Sequence, residues 1–309
     1  MSSSNDEATI EWPQKTRELQ NHHMDSTRWN DFRFRDDDVV IGTWAKAGTT
    51  WTQQIVAQLI FDGAEDIPVA DMSPWLDLRI FPLADIMGAL EAQTHRRVVK
   101  THLPVDALVF SPQARYIYLA RDGKDVVWSL YNHHARFTQQ ALDMFNDTPG
   151  RVGPKLEPPK DDIVEYFHDW LDGDGYPFWP FWSNVRSWWE IRHLPNVMLL
   201  HFNDMKADLP GSIRRIAKFL DMEVDAAVWP SIVEHCSFDY MKRNATKLSD
   251  HFDEALFRGG LGEFIHKGTN GRWRDMLSAE DIAKYERAAS EHLSPECAAW
   301  LANGRMPAG

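Results

Sequence analysis

The stretch VVIGTWAKAGTTWTQQIVAQLIF, Val39 to Phe61, changes its period halfway along. Val39 to Thr43 is a short run of strand formers, and Trp44 to Gly48 is a loop. From Thr49 onward Trp51, Ile55 and Leu59 recur along one helical face, with Thr52, Val56 and Ile60 beside them. A strand that turns tightly into a helix leaves backbone N–H groups free at the helix start. Together with the positive end of the helix dipole these make an anion site. Lys46 adds a mobile positive charge, and Thr49 and Thr50 add hydroxyl donors. The loop is suited to a phosphate-like group.

It departs from the nucleoside-triphosphate loop G-x-x-x-x-G-K-[ST], which needs a lysine directly after its second glycine. Here Thr49 follows Gly48, and the lysine precedes that glycine by two residues. TWAKAGTTW, Thr43 to Trp51, instead resembles the 5′-phosphosulfate loop TYPKSGTTW of the cytosolic-type sulfotransferases that use 3′-phosphoadenosine 5′-phosphosulfate (PAPS). Six of the nine letters agree, including the lysine and the closing GTTW. The resemblance assigns Lys46, Ala47, Gly48, Thr49, Thr50 and Trp51 to the nucleotide. Taken alone, the motif also fits a strand–turn–helix whose glycine only makes the turn.

With 309 residues, the chain is long enough for one α/β domain or two smaller ones, and its apolar fraction and 14 tryptophans suffice for a packed core. A net charge of −13 argues against a nucleic-acid partner, which would want a basic face. The two cysteines, Cys236 and Cys297, make no disulfide framework. The polar, acidic start MSSSNDEATIEW has no apolar leader, and no apolar run reaches the ~20 residues a membrane span needs. The expectation is a cytoplasmic protein without a membrane span.

Residues 1–37 read as a polar arm with aromatic anchors at Trp12, Trp29, Phe32 and Phe34. Further strands are expected at Arg97 to Leu103, Tyr116 to Ala120 and Val197 to Phe202, with a helix from Val126 and another after Asp208 as N-cap. From about Phe137 to Pro180 the pattern dissolves into Pro, Gly, Asp and aromatics. Such a stretch is more often a binding loop than a linker. Strands alternating with helices give the predicted fold class: a single α/β domain with a mostly parallel central sheet flanked by helices. Asp36-Asp37-Asp38 reads as a solvated turn, and the pairs His22-His23 and His133-His134 as solvated histidines rather than metal ligands.

Three more segments extend the resemblance in the family's order, to a bacterial-like member. Val98 to Pro104, VVKTHLP, resembles IKSHLP, whose histidine is the general base; this gives His102 that role, with Lys100 as a second cation near the sulfuryl oxygens. A neutral imidazole at the end of a parallel strand suits it. Tyr116 to Tyr131 resembles IYVARNPKDVAVSYY, whose arginine and serine hold the 3′-phosphate, here Arg121 and Ser129. Leu261 to Gly268, followed by Gly271-Arg272-Trp273, resembles FxRKG…GDW, with His266, Lys267 and Gly268 closing over that phosphate. His266 stands where the family has arginine, so full charge there needs a pH below the imidazole pKa. Cys236 to Met241 resembles TSFxxM and contributes Ser237 and Phe238; Phe202 stands where the family has a nucleotide-side tyrosine.

The resemblance implies sulfuryl transfer from PAPS, without a metal, to a hydroxyl or secondarily an amine of a small or lipid-like apolar acceptor. Pocket walls are expected from Trp75, Phe81, Tyr131 and His134 and from the stretch Phe137 to Trp182. The family's dimer motif K-x-x-x-T-V-x-x-x-E would fall on Arg274, Ser278, Ala279 and Ala283, three of which have lost its character. A monomer, or a dimer through another surface, is expected. A kinase-like phosphotransferase and a non-catalytic nucleotide-binding protein stay open as alternatives.

Overall fold

In the computed structural model, which describes residues 10–247, 256–259 and 268–305, strand β1 (Val39–Thr43) lies inside a sheet ordered β2-β1-β3-β4. Its neighbours are β2 (Val98–Thr101) and β3 (Arg115–Ala120), and β4 (Val197–His201) forms the far edge; all pairs are parallel. These are the four strands read from the sequence. Alternate residues separate cleanly into two apolar layers. Val40, Val99, Tyr116, Tyr118 and Leu199 face one core, and Val39, Ile41, Val98, Ile117 and Leu200 the other. With both faces buried, the strand interiors read as short apolar runs, as in Val39 to Ile41 and Tyr116 to Ala120.

The helix Thr49–Ile60 leaves β1 and covers the second face through Ile55, Val56 and Leu59. The helix Gly123–His134 leaves β3 and covers the first through Val126, Val127 and Leu130. Adjacent strands whose following helices depart to opposite faces open a crevice at the strands' carboxyl ends, where α/β proteins bind ligands. Topology alone therefore puts the Lys46 loop, Arg121 and His102 around one opening.

Three expectations need correction. The helix after β3 starts at Gly123 rather than Val126, because the Asp122 carboxylate accepts from the Lys124 amide at 2.9 Å and caps it there. The stretch from Phe137 to Pro180 holds two capped helices, Gln139–Asp147 and Ile163–Asp172, which bury Leu142, Phe145, Tyr166, Phe167 and Trp170. The prolines and glycines that masked their period lie between and after them. Finally, Asp36 and Asp37 are exposed, but Asp38 is buried. Its two oxygens accept from Arg97 Nε at 2.9 Å and Nη2 at 2.6 Å, a fork that joins the starts of β1 and β2.

The arm itself is well anchored. Arg28 donates to the carbonyls of Leu78, Arg79 and Phe81. Arg79, buried, donates to those of His22, Phe145, Thr148 and Pro149. These bonds bring His22 and His23 to the end of the sheet. Among the described residues no helix is long and apolar enough to cross a membrane.

Candidate active site

Lys46 and Gly48 both take left-handed backbone, at φ 63° and 118°. Lysine pays for that conformation, and strain of this kind gathers at functional sites. Gly48 has no alternative: a Cβ there would lie 2.8 Å from Leu119 Cδ2 and 3.1 Å from Phe202 Cδ2. The helix Thr49–Ile60 has no side-chain cap, so its first N–H groups stay available to a ligand. The Thr49 hydroxyl already has a protein partner in the fold. It is buried, bonded to Thr43 Oγ1 at 2.7 Å. Thr50 stays partly exposed at the helix start, and Ala47 is buried beneath the loop. Burial, then the charges of Lys100, Arg121 and Arg136, pushes Lys46 down to about 7.

His102 sits just past β2, buried. Its Nδ1 lies 2.7 Å from the Thr43 carbonyl and 3.0 Å from the Thr43 hydroxyl. A carbonyl can only accept, so Nδ1 carries the proton and Nε2 keeps its lone pair. Burial and the positive charge of Lys100 hold His102 well below the usual imidazole range, partly offset by the Thr43 bond, with Lys46 adding to the lowering. The Trp75 ring meets the imidazole edge-on at 4.6 Å, and Trp179 stacks at 5.5 Å. Lys100 Nζ lies 4.3 Å above Trp75, and burial, opposed by Asp77, brings it down to about 8.

On the opposite side of the loop, Arg121 is buried over the Phe202 ring at 4.4 Å. Its guanidinium donates to Asn270 Oδ1 through Nε and Nη2 at 2.9 and 2.7 Å, to the Thr269 carbonyl at 3.1 Å and to the Lys46 carbonyl at 3.3 Å. The last bond ties the arginine to the anion loop. Phe202 also meets Trp51 edge-on at 5.3 Å, and Trp51 Nε1 donates to the Cys236 carbonyl at 2.8 Å. Phe238 is 36% exposed and lies on Gly268, where a Cβ would come within 2.5 Å of its ring. Trp51 and Phe202 thus meet edge-on beside the loop, and Phe238 offers an exposed ring over Gly268. The Ser237 hydroxyl caps the helix Phe238–Arg243 by accepting from the Tyr240 amide at 3.2 Å. Ser129 lies in the helix after Arg121, partly exposed. His266 and Lys267 fall outside the described residues.

The acceptor residues divide. Trp75 touches His102, and His134 is buried against Phe137 and Phe178 at 5.6 and 5.4 Å. Tyr131 turns elsewhere, donating to the Asp161 carbonyl at 2.7 Å. Phe81 packs on the core with no ring contact to His102. The solvated reading of the histidine pairs is wrong: His22, His23 and His134 are buried, and His133 is partly so. Aromatic neighbours distant in sequence enclose them, which no local pattern reveals. Among the described residues no three metal-ligating groups cluster.

Sequence reasoning missed Thr43 as the group that orients His102, although it is the first letter of the loop motif. It also missed Asn270, which holds Arg121, and Asp77, which accepts from Trp29 Nε1 at 3.1 Å and Trp75 Nε1 at 2.6 Å. Asn184, which donates to the His102 carbonyl at 2.9 Å, gave no signal at all.

A family model described as the sulfotransferase domain matches residues 36–295. A glycolipid sulfotransferase of Mycobacterium tuberculosis is 28% identical over 302 residues, covering 91% of this chain and 92% of the relative. Mouse sulfotransferase 1B1 is 30% identical over 278 residues, 86% of each chain. Among solved structures, mouse sulfotransferase SULT7A1 complexed with PAP superposes with a TM-score of 0.69 at 22% identity, covering 89% of this chain and 91% of that one. Retinol dehydratase in complex with androsterone and inactive cofactor PAP gives 0.68 at 25%, covering 87% and 84%. With its parallel sheet, anion loop and strand-end histidine in the arrangement described, the chain belongs to the sulfotransferase domain family.

Proposed function

We propose that the protein transfers the sulfuryl group of PAPS to a hydroxyl of a small, largely apolar acceptor, with His102 as general base. The observation that carries this reading is the Nδ1–H bond of His102 to the Thr43 carbonyl, which leaves a neutral Nε2 at the mouth of the anion loop. Nε2 takes the acceptor proton as the oxygen attacks sulfur. The new O–S bond forms while the bond from sulfur to the 5′-phosphate oxygen breaks, and the 3′,5′-diphosphate PAP leaves with that electron pair. Lys46, the loop amides and Thr50 stabilise the charge gathering on the bridging oxygen, and Lys100 faces the sulfuryl oxygens.

The donor fits the residues present. The uncapped helix start takes the 5′ side, the rings of Trp51, Phe202 and Phe238 take the adenine, and Arg121 and Ser129 take the 3′-phosphate, with Lys267, His266 and the Gly268 amide assigned beside them. Ser237 supports Phe238 by capping its helix. The whole chain forms one such domain, its residues 137–180 next to the acceptor. The aromatic surroundings of His102 favour a flat acceptor such as a phenol, whose pKa near ~10 eases deprotonation by histidine.

Thermal unfolding with PAP and with the nucleotide lacking the 3′-phosphate tests the donor. PAP at ~100 times its dissociation constant adds about 2.7 kcal/mol of stability. The dephosphorylated nucleotide should stabilise far less. Equal shifts, or none, would overturn the assignment.

A further inference from the structure

The His22-His23 pair belongs to the arm, yet it reaches the acceptor side of the crevice. His22 Nε2 lies 2.6 Å from the Pro177 carbonyl, and its Nδ1 contacts His23 Nδ1. The proton positions follow from these contacts. A carbonyl only accepts, so His22 carries its proton on Nε2. Both rings are buried; burial lowers His22 to about 4 and His23 well below the usual range, so each is neutral with a single N–H. His22 Nδ1 is therefore a lone pair, and His23 Nδ1–H must donate to it. That leaves the lone pair of His23 on Nε2, and among the described residues no donor reaches it.

The surroundings of His23 are aromatic: Phe145 stacks at 3.8 Å, and Phe178, Trp179, Trp75 and Phe137 lie at 5.0, 5.8, 6.4 and 6.4 Å. Trp75 and Trp179 are also the two rings that flank His102. The catalytic imidazole and the arm imidazole thus share two walls, the indoles of Trp75 and Trp179. One is a base for a reacting hydroxyl; the other is a fixed acceptor in an apolar enclosure.

We propose that His23 sets acceptor specificity: its Nε2 accepts a hydrogen bond from a second hydroxyl or N–H group of a flat aromatic acceptor whose reacting hydroxyl lies at His102. The preferred substrate class is then the diol or amino-phenol with its two polar groups at opposite ends of a fused-ring or biaryl frame. This rests on the sulfotransferase reading above, and goes beyond it in naming a second polar anchor. An acceptor atom lined by rings discriminates against a ligand that offers it no donor.

The test compares a naphthol with dihydroxynaphthalenes carrying the second hydroxyl on the distal ring, using wild-type protein and H23F, which keeps an aromatic ring in the enclosure. Wild type should favour at least one diol in kcat/KM by roughly tenfold, and H23F should collapse that preference through KM, in line with one lost hydrogen bond. Histidine 15N correlation spectra of the wild type should show His23 protonated at Nδ1, with Nε2 shifting on addition of the diol but not of the naphthol. That spectrum decides the matter if H23F does not fold. No diol preference in wild type, an unchanged preference in H23F, or an Nε2-protonated His23 would overturn the proposal. Failure of the wild type to bind PAP or sulfate any phenol would instead strike the sulfotransferase reading, and this inference with it.

Discussion

The two sides of the crevice are built on opposite principles. The proposed donor side centres on a contiguous loop, Thr43 to Trp51, whose two left-handed residues and uncapped helix start are set by the backbone. The acceptor side gathers rings from His23, Trp75, His102, Phe137, Phe145, Phe178 and Trp179, drawn from the arm, the segment before β2, a strand end and the segments beyond the third strand. A donor common to the family can be met by a short fixed geometry, because phosphate always presents the same oxygens. An acceptor that differs from one enzyme to another is met by a packed surface whose members can vary singly. Backbone changes should therefore act on the donor side and side-chain changes on the acceptor side.

The largest effect is expected from Gly48→Ala. The added methyl both overlaps Leu119 and Phe202 and sits on left-handed backbone. PAP affinity should fall by more than about a hundredfold, which corresponds to ~2.7 kcal/mol. Titration calorimetry showing wild-type affinity would break the claim that loop geometry makes the site.

Arg121→Ala comes next. Removing a charge-assisted phosphate contact costs about 1.5–3 kcal/mol, so PAP binding should weaken roughly ten- to a hundredfold. Asn270→Ala, which removes the partner and not the charge, should weaken it less. If Asn270→Ala were the more damaging, Arg121 would be structural.

Much of the donor side was legible because its signal is local. The change from strand to helix period at Thr43 to Thr49 and the position of Lys46 relative to Gly48 are both read without tertiary knowledge. Even so, the inward turn of the Thr49 hydroxyl onto Thr43 depended on the packing of two adjacent elements. The acceptor side was far less legible. His22 and His23 look like surface residues in a polar arm, and it takes the carbonyl bonds of Arg28 and Arg79 together with distant aromatic neighbours to bury them. Tyr131, near Ser129 in sequence, points instead to Asp161. Nothing in the local pattern distinguishes these cases.

A smaller effect sharpens the electrostatics of the donor side. Lys46, at about 7 in the free protein, is largely neutral at pH 8 and largely charged at pH 6. A bound phosphate favours the ammonium, so binding near pH 8 should take up a proton that binding at pH 6 does not. PAP affinity should weaken as pH rises through 7. Calorimetry in buffers of different ionisation enthalpy measures the uptake, and Lys46→Met should abolish it. The smallest effect belongs to Tyr131→Phe: with its hydroxyl on the Asp161 carbonyl, the KM for a phenol should move by less than about twofold.

The donor and acceptor sides meet at His102, and one substitution there tests the account most directly. For His102→Ala, phenol turnover with PAPS should fall by ~10²–10⁴-fold, the usual range for a lost general base, while calorimetric PAP affinity stays within about twofold of wild type. Turnover near the wild-type rate would remove His102 from the chemistry. A parallel loss of PAP binding would place it on the donor side and contradict the division of the crevice described above.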